Sequence, residues 1–422
     1  MSMNKEMFNY WLLNDEDIET NIRSFNLNFG PQHPAAHGVL RVVIQLRGEV
    51  IERSDVHIGL LHRGTEKLLE TRLYTLGLPY FDRLDYTAIM LQEHAYCLAI
   101  EDLIGSRNYL NIYTNVRIIF DELTRILNHL IALSTHAMDV GTMAIFFWAF
   151  EERERIMEFY ERVSGARMHA AFYRPNDASI GYIFNSLVKD IVFFCRDLLK
   201  RLGQMDSKLM SSSIWRARLS EIGIINVEFL KKWGVTGPLA RSTGVKSDLR
   251  ISYTETYESY YYLNIRSFLG ENGDCFDRFL IRMREMSESV YIILQVINRW
   301  VYEWQNMREL SFLIDNRNKY EFQKHFNSEW CTSMEDLIIH FKGCSEGYSV
   351  PRGITYAAVE SAKGEFGVLL VADGSAKPYR CRIRSPAYYH TQLFTPMVQG
   401  HYFADLITII GSQDIVMGEV DR

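Results

Sequence analysis

The chain has 422 residues, 47% of them hydrophobic, with 46 lysines and arginines against 52 aspartates and glutamates for a net charge of -6. The length suffices to bury one large core or two closely packed ones, and the absence of any basic block removes the electrostatic footprint of a nucleic-acid binder. Six cysteines, Cys97, Cys195, Cys275, Cys331, Cys344 and Cys381, are scattered without a CxxC pair; this supports neither a disulfide framework nor a cysteine-ligated metal or cluster, and it fits a reducing compartment.

Residues 1–24 are mixed in character and read as a surface arm or short helix. Met1 to Asp17 carries four acidic residues and one lysine and no arginine, the pattern of neither a secretory signal nor a typical mitochondrial presequence. Gly30-Pro31-Gln32-His33-Pro34-Ala35-Ala36-His37-Gly38 follows, a short loop whose prolines and glycines mark a tight connection and restrict its histidines. Those histidines are either ordinary polar loop residues bonded to backbone or groups held at a fixed point in a cavity. A zinc site on His33 and His37 is disfavoured, because Pro34 and Gly38 oppose the helix that would aim both rings at one ion and no third ligand is nearby. Val39 to Leu46, a turn at Arg47-Gly48 and Glu49 to Glu52 then read as a hairpin led by the histidine loop.

Gly64 and Thr65 predict a helix start, with Glu66 and Glu70 along it and Arg63 at the corner before it. Asp82 begins a segment expected to run helically through Ile104. Near its start Tyr86 lies about one turn from Asp82 and Arg83, and it is either a structural tyrosine bonded to a local carboxylate or a ligand-binding one. Residues 116–140 predict a long helix. At about 100° per residue, Glu122, Arg125, His129 and His136 fall within about 60° of each other, with Asp139 beside them. Solvated faces are mostly Lys and Glu, so this stripe reads as a buried polar track. The longest apolar run, Val140 to Phe150, has eleven residues, short of the roughly 20 that span a bilayer.

Ile145 to Tyr160 is Phe-rich and then heavily charged; Asn185 to Gln204, Asp277 to Trp304 and Ser333 to Phe341 predict further helices, while residues 305–330 look like a polar surface excursion. Glu365 to Val371, a turn at Asp373-Gly374-Ser375 and Tyr379 to Arg384 form the clearest hairpin. Phe403 to Ile410 is helix-like, and the chain then runs Gln413 to Arg422. The pattern is α+β and mainly α: a helical core with small β-hairpins from both ends. It divides into an arm (1–24) and one domain over 25–422, made of the histidine-loop hairpin (25–56), the helical core (57–304), the excursion (305–330) and C-terminal helices with a hairpin (331–422).

Five segments carry a family resemblance: Phe29 to Arg41, His57-Ile58-Gly59-Leu60-Leu61-His62-Arg63-Gly64-Thr65-Glu66-Lys67, Pro79 to Tyr86, Glu151-Glu152-Arg153 through His169, and Gln413 to Arg422. In this order they resemble the hydrogenase-like 49 kDa core subunit of respiratory complex I, from about residue 25 to the last residue. The resemblance implies the fold of nickel-iron hydrogenase large subunits, without the two CxxC pairs that would hold the metal. It implies that His37 and Tyr86 reach the ubiquinone headgroup, that Asp139 supports His37, and that Arg63 and His169 lie close to a [4Fe-4S] cluster ligated by a neighbouring small subunit. The implied activity is NADH:ubiquinone reduction coupled to proton translocation, with His37, Tyr86 and Asp139 catalytic and no metal bound by this chain. The implied partners are that small subunit, other peripheral-arm core subunits and a membrane-arm quinone-channel subunit. The implied location is the matrix side of the mitochondrial inner membrane or the cytoplasmic face of a bacterial one, and an aromatic share of 13% leans toward the first. The competing reading is a non-catalytic scaffold that keeps only the fold. After His169 the family's Arg-Pro-Gly-Gly-Val is replaced by Arg174-Pro175-Asn176-Asp177-Ala178.

Overall fold

The computed structural model describes residues 24–33, 38–105, 111–175, 185–252, 257–310 and 334–422. His37, and most of the excursion expected over 305–330, lie outside the described residues. The N-terminal sheet has three antiparallel strands, β1 (Ser24–Phe29), β2 (Arg41–Arg47) and β3 (Val50–His57). It is thus one strand larger than the expected hairpin. Phe29 pairs with Val42 and Leu46 with Ile51, and Phe29, Val42, Ile44, Leu46 and Ile51 are buried along one face, the period-2 pattern of a half-buried sheet. The histidine loop joins β1 to β2.

The helices follow: α1 (Thr65–Leu69), α2 (Tyr74–Asp82), α3 (Ile89–Ile104), α4 (Asn111–Val140), α5 (Met143–Ser164), α6 (Asn185–Met210), α7 (Ser213–Leu219), α8 (Val227–Trp233), α9 (Pro238–Ser242), α10 (Cys275–Leu310) and α11 (Met334–Ser345). A second antiparallel sheet, β4 (Gly353–Ser361), β5 (Gly364–Ala372) and β6 (Arg380–Arg384), precedes α12 (Pro386–Val398), α13 (Phe403–Gln413) and α14 (Met417–Asp421). The architecture is mainly α with two small sheets, as the sequence predicts. Side chains from β1 through α14 join one hydrophobic cluster.

Several boundaries differ from expectation. The segment after Asp82 is not one helix: α2 ends there, 83–88 is a turn, and α3 starts at Ile89. The helix expected to end at Trp304 continues to Leu310, and β4 adds a strand to the C-terminal hairpin.

Helix α4 is the axis, packing on α5, α10 and α13, while α3 lies across β4 and β5. The predicted stripe is buried: Glu122, Arg125 and His129 are 0% exposed and His136 1%. Each of the first three has charged partners. Arg250 donates to Glu122 Oε1 at 3.2 Å, Tyr260 at 2.7 Å, and Ser289 donates to Oε2 at 2.6 Å. Burial pushes the Glu122 carboxyl up, but Arg125 and Arg250 outweigh it and hold it below its ordinary value. Arg125 donates to the carbonyls of Glu360 and Ser361, binding α4 to the end of β4. His129 meets Glu285 at 3.0 Å, and Glu285 also accepts from Arg241 at 2.9 Å. His136 stays neutral; burial, then Arg282 and Arg278, bring it down to about 3.

The turn between β4 and β5 rests against Gly237. This glycine has φ +77, and a Cβ there would lie 2.4 Å from the carbonyl oxygen of Lys363. Gly237→Ala therefore meets both left-handed strain and a backbone clash. The expected outcome is a loss of about 2–4 kcal/mol in the unfolding free energy of the chain, measured by chemical denaturation, while Gly234→Ala, at φ +63 with open space around its Cβ, costs less.

Candidate functional site

Residues 421–422 meet the corner that carries Arg63. Asp421, on α14, accepts from the amides of Gly59 at 2.9 Å and Leu61 at 2.8 Å, and its carbonyl lies 2.7 Å from His62 Nδ1. The amide of Arg63 donates to the carbonyl of Arg422 at 3.2 Å. Arg422 in turn donates to Glu66 Oε1 at 3.0 Å and to the Ile383 carbonyl at 2.7 Å, so α1, β6 and the last residue are fastened together. Gly418 permits this approach, because a Cβ there would sit 2.6 Å from the Leu84 carbonyl. The cleft so formed is lined by Ile58, His62, Glu66, Arg380, Tyr388 and Arg422.

Arg63 is itself exposed, and its guanidinium donates to the carbonyl of Arg83 at 3.0 Å. Arg83 begins the turn that holds Tyr86, so Arg63 and Tyr86 belong to one structural unit. The turn exists because Asp85 captures local donors: its Oδ1 accepts from the Thr87 amide at 3.1 Å and the Thr87 hydroxyl at 2.6 Å, while Gln92 accepts from the Asp85 amide at 3.1 Å. Such side-chain-to-backbone bonds compete with helix. The other Asp85 oxygen accepts from Lys363 at 2.8 Å. Lys363 also donates to Thr87 Oγ1 at 2.7 Å and Asn128 Oδ1 at 2.6 Å, and Asp414 lies 3.7 Å away. Lys363 is 2% exposed and Asp85 0%, so a buried ammonium between two carboxylates anchors the turn from beneath.

Tyr86 projects from this anchored turn and is 38% exposed. Burial, followed by the field of Asp85, pushes its phenol above the usual range although Lys363 opposes them. At neutral pH it is a neutral hydrogen-bond donor. Asp139, at the far end of α4, is exposed at its surface side; partial burial raises its carboxyl and His33 offsets part of that rise. His33 packs against Phe29 at the start of the histidine loop, with ring centroids 4.3 Å apart and the planes tilted by 41°. The charge felt by Asp139 is that of His33, whereas Tyr86 feels Asp85, Lys363 and Asp414. His169 lies in the extended segment after α5, half-buried, with its Nδ1 enclosed and without a hydrogen-bond partner. Its charge is felt by Asp82, at the end of α2 next to Arg83.

The structure thus joins Arg63 to the Arg83 carbonyl at the start of the turn that carries Tyr86, and sets His169 near Asp82, just before that turn. Asp139 pairs electrostatically with His33; the expected partner His37 lies outside the described residues. Reading the sequence missed Lys363, Asn128 and Thr87 altogether. Asp85 and Asp414 stood within quoted motifs, and the only sequence signal for them was acid in an otherwise apolar setting. Among the described residues no helix is long and apolar enough to cross a membrane.

Residues 139–422 match the model of the family described as the 49 kDa subunit of respiratory-chain NADH dehydrogenase. The NADH-ubiquinone oxidoreductase 49 kDa subunit of Paramecium tetraurelia is 54% identical over 401 residues, which cover 95% of this chain and 100% of that protein. That of Reclinomonas americana is 50% identical over 95% of this chain and 98% of its own. NADH dehydrogenase [ubiquinone] iron-sulfur protein 2 of Nephroselmis olivacea is 49% identical, with 95% and 97% covered. Identity of this degree over nearly the whole of each chain, together with the family match across α5 to α14, means that the chain belongs to the 49 kDa subunit family of respiratory-chain NADH dehydrogenase.

Proposed function

We propose that this subunit forms, with an adjacent iron-sulfur subunit, the site at which the ubiquinone headgroup is reduced by electrons from NADH, in coupling with proton translocation. The observation that carries the reading is Tyr86: a part-exposed phenol with a raised pKa, held on a turn that Lys363 and Asp85 fix from within and that Arg63 touches from without. The names of the most similar relatives, which are ubiquinone oxidoreductase subunits, support the substrate.

Reducing a quinone to its quinol takes two electrons and two protons, and negative charge develops on the carbonyl oxygens as the electrons arrive. A fixed neutral donor stabilises that charge without the desolvation cost of burying a cation. Tyr86 supplies such a donor. His37 is the proposed second contact and proton carrier, in keeping with the ability of imidazole to change charge near neutral pH. Asp139, at the foot of the loop bearing His33 and His37, favours a protonated imidazole there. The neighbour's [4Fe-4S] cluster would deliver the electrons one at a time; the Arg63 guanidinium adjoining it favours the more negative, reduced state, and His169 takes up a proton as that charge arrives. The same reading places the subunit on the matrix side of the mitochondrial inner membrane, or on the cytoplasmic face of a bacterial one. Its contacts there are the small iron-sulfur subunit, other peripheral-arm subunits and a membrane-arm quinone-channel subunit.

Tyr86→Phe removes one hydroxyl with little change in volume. In the assembled complex it is expected to lower ubiquinone reductase activity at least tenfold while leaving electron transfer to hydrophilic artificial acceptors intact. Unchanged kinetics with short-chain quinones would remove Tyr86 from the site. A second expectation concerns His169→Met, which keeps bulk and deletes the proton site. The cluster should remain assembled, with a midpoint potential that no longer varies with pH and is below the parent's at acidic pH; electron paramagnetic resonance redox titrations at several pH values measure this. A pH dependence equal to the parent's would make His169 a packed core histidine.

A further inference from the structure

Beneath the segment that carries His169 lie two carboxyl groups, both fully buried: Asp82 at the end of α2 and Glu93 within α3. One oxygen of each holds backbone. Asp82 Oδ2 accepts from the amide of Ala171 at 2.8 Å, and Glu93 Oε2 accepts from the amides of Phe172 at 2.7 Å and Tyr173 at 2.9 Å. Three successive amides thus point inward at two carboxyl groups, and Ala171 holds φ 42, in the left-handed region that a non-glycine residue avoids. The remaining oxygens, Asp82 Oδ1 and Glu93 Oε1, are buried with no hydrogen-bond partner, and each carboxyl is among the groups that act on the other.

Two carboxylate oxygens can bond only through a proton. As bare anions in a buried site, the pair would instead repel. We propose that Asp82 and Glu93 are positioning residues for His169, sharing one proton between Asp82 Oδ1 and Glu93 Oε1 and thereby gripping the amides of Ala171, Phe172 and Tyr173.

The surroundings fit a pair with a single negative charge. Asp82 is faced by Arg83 and His169. Around Glu93 stand Cys97 of α3, Tyr160 of α5 and Tyr173, with Asp121 of α4 one layer beyond, bonded to His94 and to the Tyr173 hydroxyl. Burial first, and for Glu93 the neighbouring Asp82 next, push both carboxyls upward, the direction in which one proton is retained. Loss of that proton would set two anions against each other beneath the segment and release its amides.

Glu93→Gln separates the proton from the shape. The glutamine oxygen still accepts from Phe172 and Tyr173, and its amide group donates to Asp82 Oδ1, so the grip persists without a titratable proton. Asp82→Asn makes the same exchange from the other side and replaces the first variant if that fails to assemble. Hydrogen–deuterium exchange of amides 171–173 is followed in the intact complex across the pH range in which it stays assembled, after correction for the chemical acceleration of exchange. Protection in the parent is expected to fall at least tenfold toward alkaline pH and to stay level in the amide variant. Three results would overturn the proposal: an equal fall in both proteins, no fall in the parent, or protection already lost at neutral pH in the variant. The choice of His169 as the positioned group rests on the proposed function. His169→Met should leave exchange at 171–173 unchanged while removing the pH dependence of the cluster potential, so the grip and the role of His169 fail separately. A potential in Glu93→Gln whose pH dependence matches the parent's throughout would limit the pair to a structural role and overturn its assignment to His169.

Discussion

The ammonium of Lys363 binds together parts of the chain that are far apart in sequence, and the site depends on its being satisfied. It has three protons and three acceptors, Asp85, Thr87 and Asn128, at 2.6 to 2.8 Å. Burial alone would strip the proton from such a group, but the opposing fields of Asp414 and Asp85 reverse the sign and hold it charged. Asp414 is held ionised against the same cost of burial by Lys363 and Arg282, and Asn128 donates to it at 2.8 Å. Glu419 lies beside this cluster; burial and Asp85 push its carboxyl well up, so it adds no further negative charge. The ammonium thus has an acceptor for each of its protons and carboxylates on two sides, which a buried charge needs in order not to destabilise the fold.

That balance sets the geometry above it. The 83–88 turn is held through Asp85, and Gly237 gives the backbone of Lys363 the room to approach. The Arg83 and Leu84 carbonyls, oriented by this turn, receive Arg63 and the close approach of Gly418. The position of Tyr86 is thus decided by residues nearly 280 positions later in the chain, and the corner around Arg63 by the last two residues. A site held between segments far apart in sequence is rigid only when both are docked, so its precision depends on the clasp of Asp421 and Arg422 as much as on the turn itself.

How much of this could be read in the sequence followed from how local each cause was. The α4 stripe was legible because helical periodicity and residue type both live in one window; its burial then followed from the scarcity of lysine in it. The β5–β6 hairpin and the Gly64–Thr65 helix start were legible for the same reason. The break after Asp82 was not, since nothing from Asp82 to Thr87 is glycine or proline and the helix is interrupted by a side chain answering a lysine on another element. Strand β1 was missed because its asparagines are poor strand formers and most of it is exposed, its pairing with β2 supplying the order. Strand β4 likewise takes its identity from β5. Of the site, Tyr86, Arg63, Asp139 and His169 were reached through family resemblance; residue chemistry alone left each with a structural reading. Glu93 is one acid in a helix whose residues Ile89 to Glu101 are all buried, and that burial, which makes an ionisable group on any face a signal in itself, is not written in the local sequence.

The proposed functional groups differ from the buried network in one respect that bears on how such a site would work. Arg63, Tyr86 and Asp139 reach the surface of the isolated chain, where water screens their fields and competes for their hydrogen bonds. Ile58 and Leu60, 41% and 58% exposed, flank the Arg63 corner, and Met143 and Phe147, 57% and 64% exposed, stand just beyond Asp139 at the start of α5. Large apolar side chains left open beside polar groups mark surfaces that are covered in an assembly. In a subunit of a larger complex, covering them would exclude water from Tyr86 and Arg63 without moving either, because the turn that carries them is already fixed from beneath by Lys363. Under the proposed function, the chain supplies the geometry, and assembly would supply the low dielectric in which a single phenol or guanidinium acts strongly on a developing charge.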